Sequence, residues 1–209
     1  MIDSILVVDD HDIVFTGIKL MLLKGDIAAN VNKAKNGSEC LSNLMVNKYE
    51  LIILDVNLPD TDTQSLVNII LSNNPKQKIL IFSMSPEHLY AIRFLKLGVY
   101  GYINKNEDSD ELLKAIKNVL NGKKYISSYI SELLTTELKT TFLESPIDLL
   151  TDREFEIMEL LLKGYRNKEI SNILNLHASS IATYKNRLYT KLKVTNVVEL
   201  GLICKLYKN

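Results

Sequence analysis

The feature that most constrains the fold is a series of short apolar runs in the first 120 residues. The runs are SILVV, LIIL, ILIF and VYGYI, with a weaker one over residues 27–34. Between them lie amphipathic segments such as IVFTGIKLMLL, and further helices are expected near residues 65–71, 87–97 and 110–120. Alternation of strand and helix at this spacing predicts a parallel sheet with helices on both faces. We therefore expect residues 1–121 to form a doubly wound α/β domain with five strands.

The pattern changes after residue 121. Residues 122–147 are polar and rich in Ser and Thr, and we expect a linker there with a helix near residues 127–138. From Leu150 onward the pattern is helical, starting with the capping box Thr151-x-x-Glu154 and a stop at Gly164. Three more helices are expected to begin near residues 167, 178 and 197. Residues 148–209 are thus predicted to form an all-α four-helix domain of the helix-turn-helix type.

Charge is balanced over the whole chain, with 25 basic and 25 acidic residues, so net charge does not indicate a partner. The C-terminal domain differs locally, because residues 177–194 hold four basic residues and no acid. A basic helix without carboxylates is typical of phosphate binding. Double-stranded DNA is therefore the expected partner of this segment.

Cysteine usage and hydropathy favour a cytoplasmic protein. Cys40 and Cys204 lie in different halves at no motif spacing, which argues against a disulfide framework or a zinc site. No apolar stretch approaches the roughly 20 residues that cross a bilayer, and the first residues do not resemble a signal peptide. We expect no membrane partner.

Polar side chains stand at the carboxyl ends of four predicted strands. They are Asp9 and Asp10, Asp55, Ser83 and Lys105. The carboxyl ends of parallel strands meet at one rim of the sheet, so these groups are expected to converge. Three close carboxylates repel one another unless a divalent cation neutralises them, and hard oxygen ligands suit Mg²⁺. Asp55 beside the metal would be a nucleophile toward phosphorus, with Lys105 and Ser83 binding phosphoryl oxygens.

The segments VVDD, LIILDVNLP, FSMS and GYINK resemble, in order and spacing, the receiver domain of two-component response regulators. The resemblance covers roughly residues 2–121 and implies a flavodoxin-like fold. It implies that Asp55 is the phosphorylated residue. It also implies that Mg²⁺ is bound mainly by Asp10, with support from Asp9, from Asp55 and from the backbone carbonyl of Asn57.

The same resemblance implies a switch pair in which Ser83 turns toward the phosphoryl group and Tyr102 swings inward with it. Lys105 matches the lysine of the family. Two residues depart from the family pattern, since Leu58 replaces a common methionine and Thr63 stands where glycine is usual. A β-branched residue in place of glycine predicts a different loop geometry. The two histidines of this domain, at positions 11 and 88, are expected on solvated helix starts rather than as metal ligands.

The segment from Leu150 to Leu192 resembles the DNA-binding domain of the NarL/FixJ/LuxR class, and the resemblance covers roughly residues 148–207. The stretch SSIATYKNRLYTKL is similar to the BvgA/EvgA branch of that class. A basic third helix in this class enters the major groove, where its side chains meet base edges and phosphates. The residues predicted to contact DNA are Thr183, Tyr184 and Arg187, and, mainly through phosphates, Ser179, Ser180, Lys185 and Lys191. His177 stands where the class commonly has a capping serine, which predicts a weaker helix start or capping by Ser179.

Together these resemblances imply a phosphorylation-controlled, DNA-binding transcriptional regulator. A sensor histidine kinase is expected to phosphorylate Asp55, and a homodimer is expected in the phosphorylated or DNA-bound state. Val197, Val198 and Gly201 on the last helix are a candidate dimer surface. The protein is not expected to be an enzyme, apart from catalysing its own phosphoryl transfer and dephosphorylation.

Three alternatives stay open at this stage. A regulator of the same class could bind DNA without phosphorylation, with a vestigial or differently used receiver. A magnesium-dependent phosphatase similar to haloacid-dehalogenase enzymes would need a second aspartate two residues after Asp55, where this chain has Asn57. A nucleotide-binding enzyme is disfavoured because the chain has neither a GxGxxG nor a GxxxxGK run.

Overall fold

The computed structural model describes residues 3–25, 27–59, 61–85, 87–128, 130–131 and 146–207. The chain divides into two compact units, residues 1–141 and 142–209. The linker helix predicted near residues 127–138 lies largely outside the described residues, and the predicted boundaries at 121 and 147 stay predictions. Within the described part of the chain, no helix has the length and apolar character needed to cross a membrane.

The first unit alternates strands and helices and forms one five-stranded parallel sheet in the order β2-β1-β3-β4-β5. The prediction of a doubly wound parallel sheet is confirmed. The strands are β1 (Asp3–Val8), β2 (Ala28–Ala34), β3 (Leu51–Leu54), β4 (Lys78–Ser83) and β5 (Gly101–Asn104). The helices are α1 (Asp12–Lys24), α2 (Gly37–Val46), α3 (Thr63–Asn73), α4 (Glu87–Leu97) and α5 (Ser109–Leu120).

The central strands β1 and β3 explain the continuous apolar runs of the sequence. Residues 5–8 of β1 and all four residues of β3 are buried, because helices cover both faces of the sheet. Ile18 and Leu22 of α1 and Ile116 of α5 pack on one face against Ile5 and the other core residues. This packing fixes the strands in register, so that their carboxyl ends reach the same rim of the sheet.

Helix α2 was not foreseen from the sequence. It begins after Asn36, whose side chain accepts a hydrogen bond from the Glu39 backbone N–H. The helix buries only Gly37 and Cys40, and Met45 near its end is exposed. A helix that buries so few side chains leaves a weak amphipathic pattern in the sequence.

The second unit is helical, as predicted. A 3₁₀ helix at Pro146–Leu149 precedes α6 (Asp152–Leu162), α7 (Asn167–Leu174), α8 (Ala178–Leu192) and α9 (Val197–Tyr207). Both hydrogen bonds of the Thr151–Glu154 capping box are present, and Gly164 has a φ of +88° just after α6. Both findings confirm the predicted ends of that helix.

The start of α8 corrects one expectation. His177 is the N-cap of α8 and its side chain makes no capping hydrogen bond. Ser179 lies inside the helix, one residue after its first position, so of the two alternatives that the sequence left, capping by Ser179 is wrong. Ile181, Leu188 and Leu192 of α8 are buried and hold the helix against the rest of the unit.

Candidate functional site

The carboxyl ends of β1, β3 and β5 carry three charged residues that the sheet places side by side. Asp9 follows β1 and Asp55 follows β3, and both are almost fully buried, with exposed fractions of 2% and 4%. The backbone N–H of Asp55 donates to the Val8 carbonyl at 3.0 Å, and that of Lys105 donates to the Ser83 carbonyl at 2.9 Å. These hydrogen bonds continue the backbone pairing of the sheet past the strand ends, so the sheet fixes the backbone positions of Asp55 and Lys105, from which their side chains extend.

The Lys105 ammonium group lies between two carboxylates. Its Nζ is 2.6 Å from Asp9 Oδ2 and 2.6 Å from Asp55 Oδ2. Burial acts to lower the pKa of Lys105, but the Asp55 and Asp9 carboxylates outweigh it, and the pKa lies above its ordinary value. The lysine therefore stays charged and can offer hydrogen bonds to an anion attached to Asp55.

Four possible metal ligands cluster at the same rim. One donor atom from each of Asp9, Asp10, His11 and Asp55 lies within 4.8 Å of the others. Asp10 Oδ1 is buried and has no hydrogen-bond partner, although His11 Nδ1 is 2.9 Å away. A buried carboxylate oxygen without a partner, beside two further carboxylates, fits a divalent cation bound by oxygen ligands. The residues at this rim are therefore compatible with a divalent metal site.

His11 lies closer to the acidic cluster than the sequence indicated. It is the exposed N-cap of α1, as expected of a solvated helix start. Its backbone N–H also donates to Asp9 Oδ1 at 2.8 Å, and its Nδ1 lies 3.1 Å from the same oxygen. His11 thus orients the Asp9 carboxylate. The side chain of the other histidine named from the sequence, His88, lies outside the described part of the structure.

Ser85 joins the residues around Asp55 to the predicted switch pair. The backbone N–H of Asn57 lies 3.3 Å from Asp55 Oδ1, and its side-chain Nδ2 donates to Ser85 Oγ at 3.0 Å. The Ser85 backbone N–H donates to Ser83 Oγ at 3.2 Å, and the Ser85 carbonyl accepts from the buried Tyr102 hydroxyl at 2.7 Å. The sequence did not single out Ser85, because a serine two residues beyond a strand carries no pattern of its own.

Thr63, which departs from the family pattern, is buried at the first position of α3. Its hydroxyl donates to the Val56 carbonyl at 2.7 Å, and Val56 directly follows Asp55. Among the described residues, the only non-glycine residues with positive φ are Asn175 and Lys193, so Thr63 is not strained. Thr63 ties the start of α3 to the strand end that holds Asp55.

One face of α8 in the second unit is exposed along its whole length. The exposed residues recur three or four positions apart and are Ala178, Ser179, Ala182, Thr183, Asn186, Arg187 and Thr190. Three of the predicted DNA contacts, Ser179, Thr183 and Arg187, belong to this face. Ser180, Tyr184 and Lys185 are half-buried beside it, and the Lys185 ammonium lies 5.3 Å from the Tyr189 ring centroid. The sequence missed Ala178, Ala182, Asn186 and Thr190, and only their exposure in the structure places them on this face.

Lys191 points in a different direction from the exposed face. Its Nζ is 2.6 Å from Glu154 Oε2 and 3.1 Å from the Leu149 carbonyl. Glu154 is buried and belongs to the capping box of α6, so Lys191 satisfies a buried carboxylate. This pairing gives Lys191 a structural role, and its contact with phosphate stays a prediction.

Two family models match the chain. The response regulator receiver domain matches residues 5–117, and the luxR family of bacterial regulatory proteins matches residues 148–203. The response regulator GacA of Pseudomonas aeruginosa is 31% identical, over 96% of this chain and 94% of GacA. The oxygen regulatory protein NreC of Staphylococcus epidermidis is 29% identical, over 94% of each chain.

The fold also matches solved structures. RcsB from Salmonella enterica serovar Typhimurium, solved bound to a promoter in the presence of phosphomimetic BeF3-, has a TM-score of 0.59 and 23% identity. The match covers 96% of this chain and 97% of that RcsB chain. At this identity, the likeness shows the fold of the chain.

Proposed function

The chain belongs to the DNA-binding response regulators, in which a receiver domain is joined to a LuxR-type helix-turn-helix domain, and we propose that phosphorylation of Asp55 controls its binding to DNA. The proposed phosphodonor is a phosphohistidine of a sensor histidine kinase. The proposed location is the cytoplasm.

The observation that carries the proposal is the environment of the Asp55 carboxylate. Asp55 Oδ2 is held 2.6 Å from Lys105 Nζ, and Asp9 contacts the same ammonium group at 2.6 Å. Asp10, whose Oδ1 has no hydrogen-bond partner, belongs to the same cluster. One buried nucleophilic carboxylate, one cation and two further carboxylates are what phosphoryl transfer to an aspartate requires.

Asp9, Asp10 and Asp55, with the backbone carbonyl of Asn57, would hold Mg²⁺ at this rim. Bound there, Mg²⁺ would neutralise part of the charge of the carboxylates and of the incoming phosphoryl oxygens. In the transfer, an Asp55 oxygen forms the new bond to phosphorus as the bond from phosphorus to the histidine nitrogen of the kinase breaks. Lys105 Nζ donates to a phosphoryl oxygen, and Ser83 Oγ donates to another. The receiver has no other catalytic role in this proposal.

The output of the proposed function is DNA binding by α8. The exposed face that includes Thr183 and Arg187 would enter the major groove, with Ser179 and Lys185 near phosphates. Solved RcsB structures include two dimers bound to two parallel DNAs. By analogy we propose that this chain binds DNA as a homodimer, with the phosphoryl group shifting the population toward the dimer.

The decisive experiment is the intact mass of the full chain after incubation with Mg²⁺ and acetyl phosphate. We expect one added phosphoryl group on the wild type and on Asp110→Asn, an exposed control in the first turn of α5, but none on Asp55→Asn. Phosphorylation of Asp55→Asn at an equal rate would disprove the assignment of the acceptor.

If neither Asp55 nor any other residue gains a phosphoryl group while the protein still binds DNA, the alternative applies. The chain would then be a phosphorylation-independent DNA-binding regulator with a vestigial receiver. DNA binding by the unmodified wild type is therefore measured in the same preparation.

A further inference from the structure

The loop between β3 and α3, residues 55–62, carries a metal ligand whose direction no side-chain rotation can adjust. It begins with Asp55 and continues to Asn57, whose backbone carbonyl is one of the proposed Mg²⁺ ligands. Because the peptide unit is planar, the direction of a carbonyl depends only on the course of the backbone on either side of it. The position of this ligand therefore depends on the contacts that hold the loop.

The first part of the loop is held by contacts with three different elements of its surroundings. The Thr63 hydroxyl of α3 donates to the Val56 carbonyl at 2.7 Å, and the Asn57 side chain donates to Ser85 Oγ at 3.0 Å. The side chain of Leu58 is buried, with an exposed fraction of 2%. These contacts leave the stretch after position 58 to be held by other residues.

Thr61 joins that stretch to the start of α2. The Gly37 backbone N–H donates to Thr61 Oγ1 at 2.9 Å, and the same hydroxyl donates to the Pro59 carbonyl at 3.0 Å. The single proton of the hydroxyl and one of its lone pairs are thus both used. Because the proline ring fixes φ of Pro59, holding its carbonyl leaves the backbone between Asn57 and Pro59 little freedom.

Glycine at position 37 makes this close approach possible. A Cβ on Gly37 would lie 2.8 Å from Thr61 Cγ2 and 3.1 Å from Thr61 Oγ1, closer than two such atoms can pack. Gly37 is the buried first residue of α2, where alanine would otherwise favour the helix. The missing side chain therefore serves the contact with Thr61 and not the stability of α2.

We propose that Thr61, seated against Gly37, is a positioning residue for the Mg²⁺ site, and that it holds the Asn57 carbonyl toward the metal. This proposal rests on the Mg²⁺ site proposed above. Thr61 itself contacts neither the metal nor the phosphoryl group. Without its hydroxyl, the loop is released from α2 and from the Pro59 carbonyl, and the Asn57 carbonyl turns away from the three carboxylates for part of the time. The metal then loses part of one ligand.

Calorimetric titration of the full chain with Mg²⁺, well below the metal-free melting temperature, tests the role of the hydroxyl. Thr61→Val keeps the shape of the side chain but can neither accept nor donate, and it should raise the Kd for Mg²⁺ about tenfold, the low end for residues that orient metal ligands. Thr61→Ser keeps the hydroxyl and should bind Mg²⁺ like wild type. The control is Thr16→Val, the same change at an exposed α1 residue whose hydroxyl bonds the Asp12 carbonyl, and it should leave the Kd unchanged.

A second pair of variants tests the contact between the two residues. Gly37→Ala should also weaken Mg²⁺ binding, because its Cβ displaces Thr61. Adding Thr61→Ser to Gly37→Ala removes the Cγ2 atom that the new Cβ meets, so the double variant should recover most of the lost affinity. A general loss of stability would not be reversed in this way, and the metal-free melting temperature of each variant is measured alongside.

Three results would overturn the proposal. If wild type binds Mg²⁺ and Thr61→Val binds it equally tightly, Thr61 does not position the loop, and the proposed function stands. If the double variant binds Mg²⁺ no better than Gly37→Ala, the close approach of the two residues is not what orients the carbonyl. If wild type itself binds no Mg²⁺, the metal site of the proposed function fails, and the role of Thr61 fails with it.

Discussion

At the scale of single residues, Lys105 determines how the acidic rim responds to metal. Replacing it by methionine leaves the buried carboxylates of Asp9 and Asp55 without their cation. We expect the free energy of unfolding without metal to fall by about 1–3 kcal/mol. Because the carboxylates then lack their internal counter-charge, Mg²⁺ should raise the melting temperature more in Lys105→Met than in wild type.

Thermal unfolding with and without Mg²⁺ measures both effects. Lys33→Met is the control, since Lys33 pairs with the exposed Asp12, which is not one of the clustered possible metal ligands. Equal Mg²⁺ responses of Lys105→Met and wild type would show that the lysine and the metal do not share the same carboxylates.

Glu156 of α6 gives the second unit a defined pH dependence. Burial raises the pKa of its carboxyl group, and Arg153 only partly opposes this. An acid whose pKa is higher in the folded state favours the fold when it is protonated, so its contribution is present below the unfolded pKa and lost as pH rises through the folded pKa. The melting temperature of wild type minus that of Glu156→Gln should therefore fall as pH rises above about 4.5, near the ordinary pKa. A constant or rising difference would contradict the prediction.

At the scale of elements, α8 has two functions on two faces. Lys191 faces inward to Glu154, whereas Arg187 faces solvent.

Lys191→Met should lower the free energy of unfolding of the second unit by about 1–2 kcal/mol. This loss is smaller than the loss expected on breaking a fully buried ion pair, because Lys191 is partly exposed. Urea unfolding, monitored by hydrogen exchange of the amides of α6 and α8, measures the change in stability, with Lys185→Met as a matched control. An unchanged stability together with weaker DNA binding would show that Lys191 acts on phosphate instead.

Arg187→Ala on the exposed face should act on DNA and not on stability. We expect weaker binding to double-stranded DNA. The slope of the logarithm of the binding constant against the logarithm of the salt concentration should become smaller in magnitude by about one unit, as expected for the loss of one phosphate contact. Asn186→Ala, one residue away, removes an uncharged side chain and should leave the slope unchanged. Titrations at several salt concentrations separate the two variants, and a parallel loss of slope in both would argue against a charge-specific contact.

At the scale of the whole molecule, α9 offers a surface for a second copy. Val198 and Leu202 are exposed by 75% and 58% and lie one helical turn apart. Of the other residues named from the sequence, Val197 is half-buried, and a Cβ on Gly201 would lie 3.9 Å from Leu162 of α6. The exposed stripe thus runs from Val198 to Leu202.

We expect Val198→Glu to abolish binding of two copies to one DNA duplex while leaving the fold intact, because a buried unpaired charge opposes association. Sedimentation velocity with and without DNA measures the change. Met45→Glu, which adds the same charge at an exposed site on α2, should bind like wild type. Unchanged two-copy binding by Val198→Glu would remove α9 as the dimer surface.

The sequence by itself determined the elements other than α2, and the rim of the sheet. Continuous apolar runs at β1 and β3 required buried parallel strands, and such strands bring Asp9, Asp55 and Lys105 to one edge. The helix ends at Thr151 and Gly164 were equally readable, because capping depends on residues within one turn.

Only the tertiary structure decided which side chains meet beyond those strand ends. Ser85 gains its position from contacts with Asn57 and Tyr102, which are far from it in the chain, and Asn186 from the face of a helix that is left uncovered. The direction of Lys191 depends on Glu154, 37 residues earlier. Local patterns report periodicity and capping, whereas hydrogen bonds between distant segments form only when packing brings those segments together.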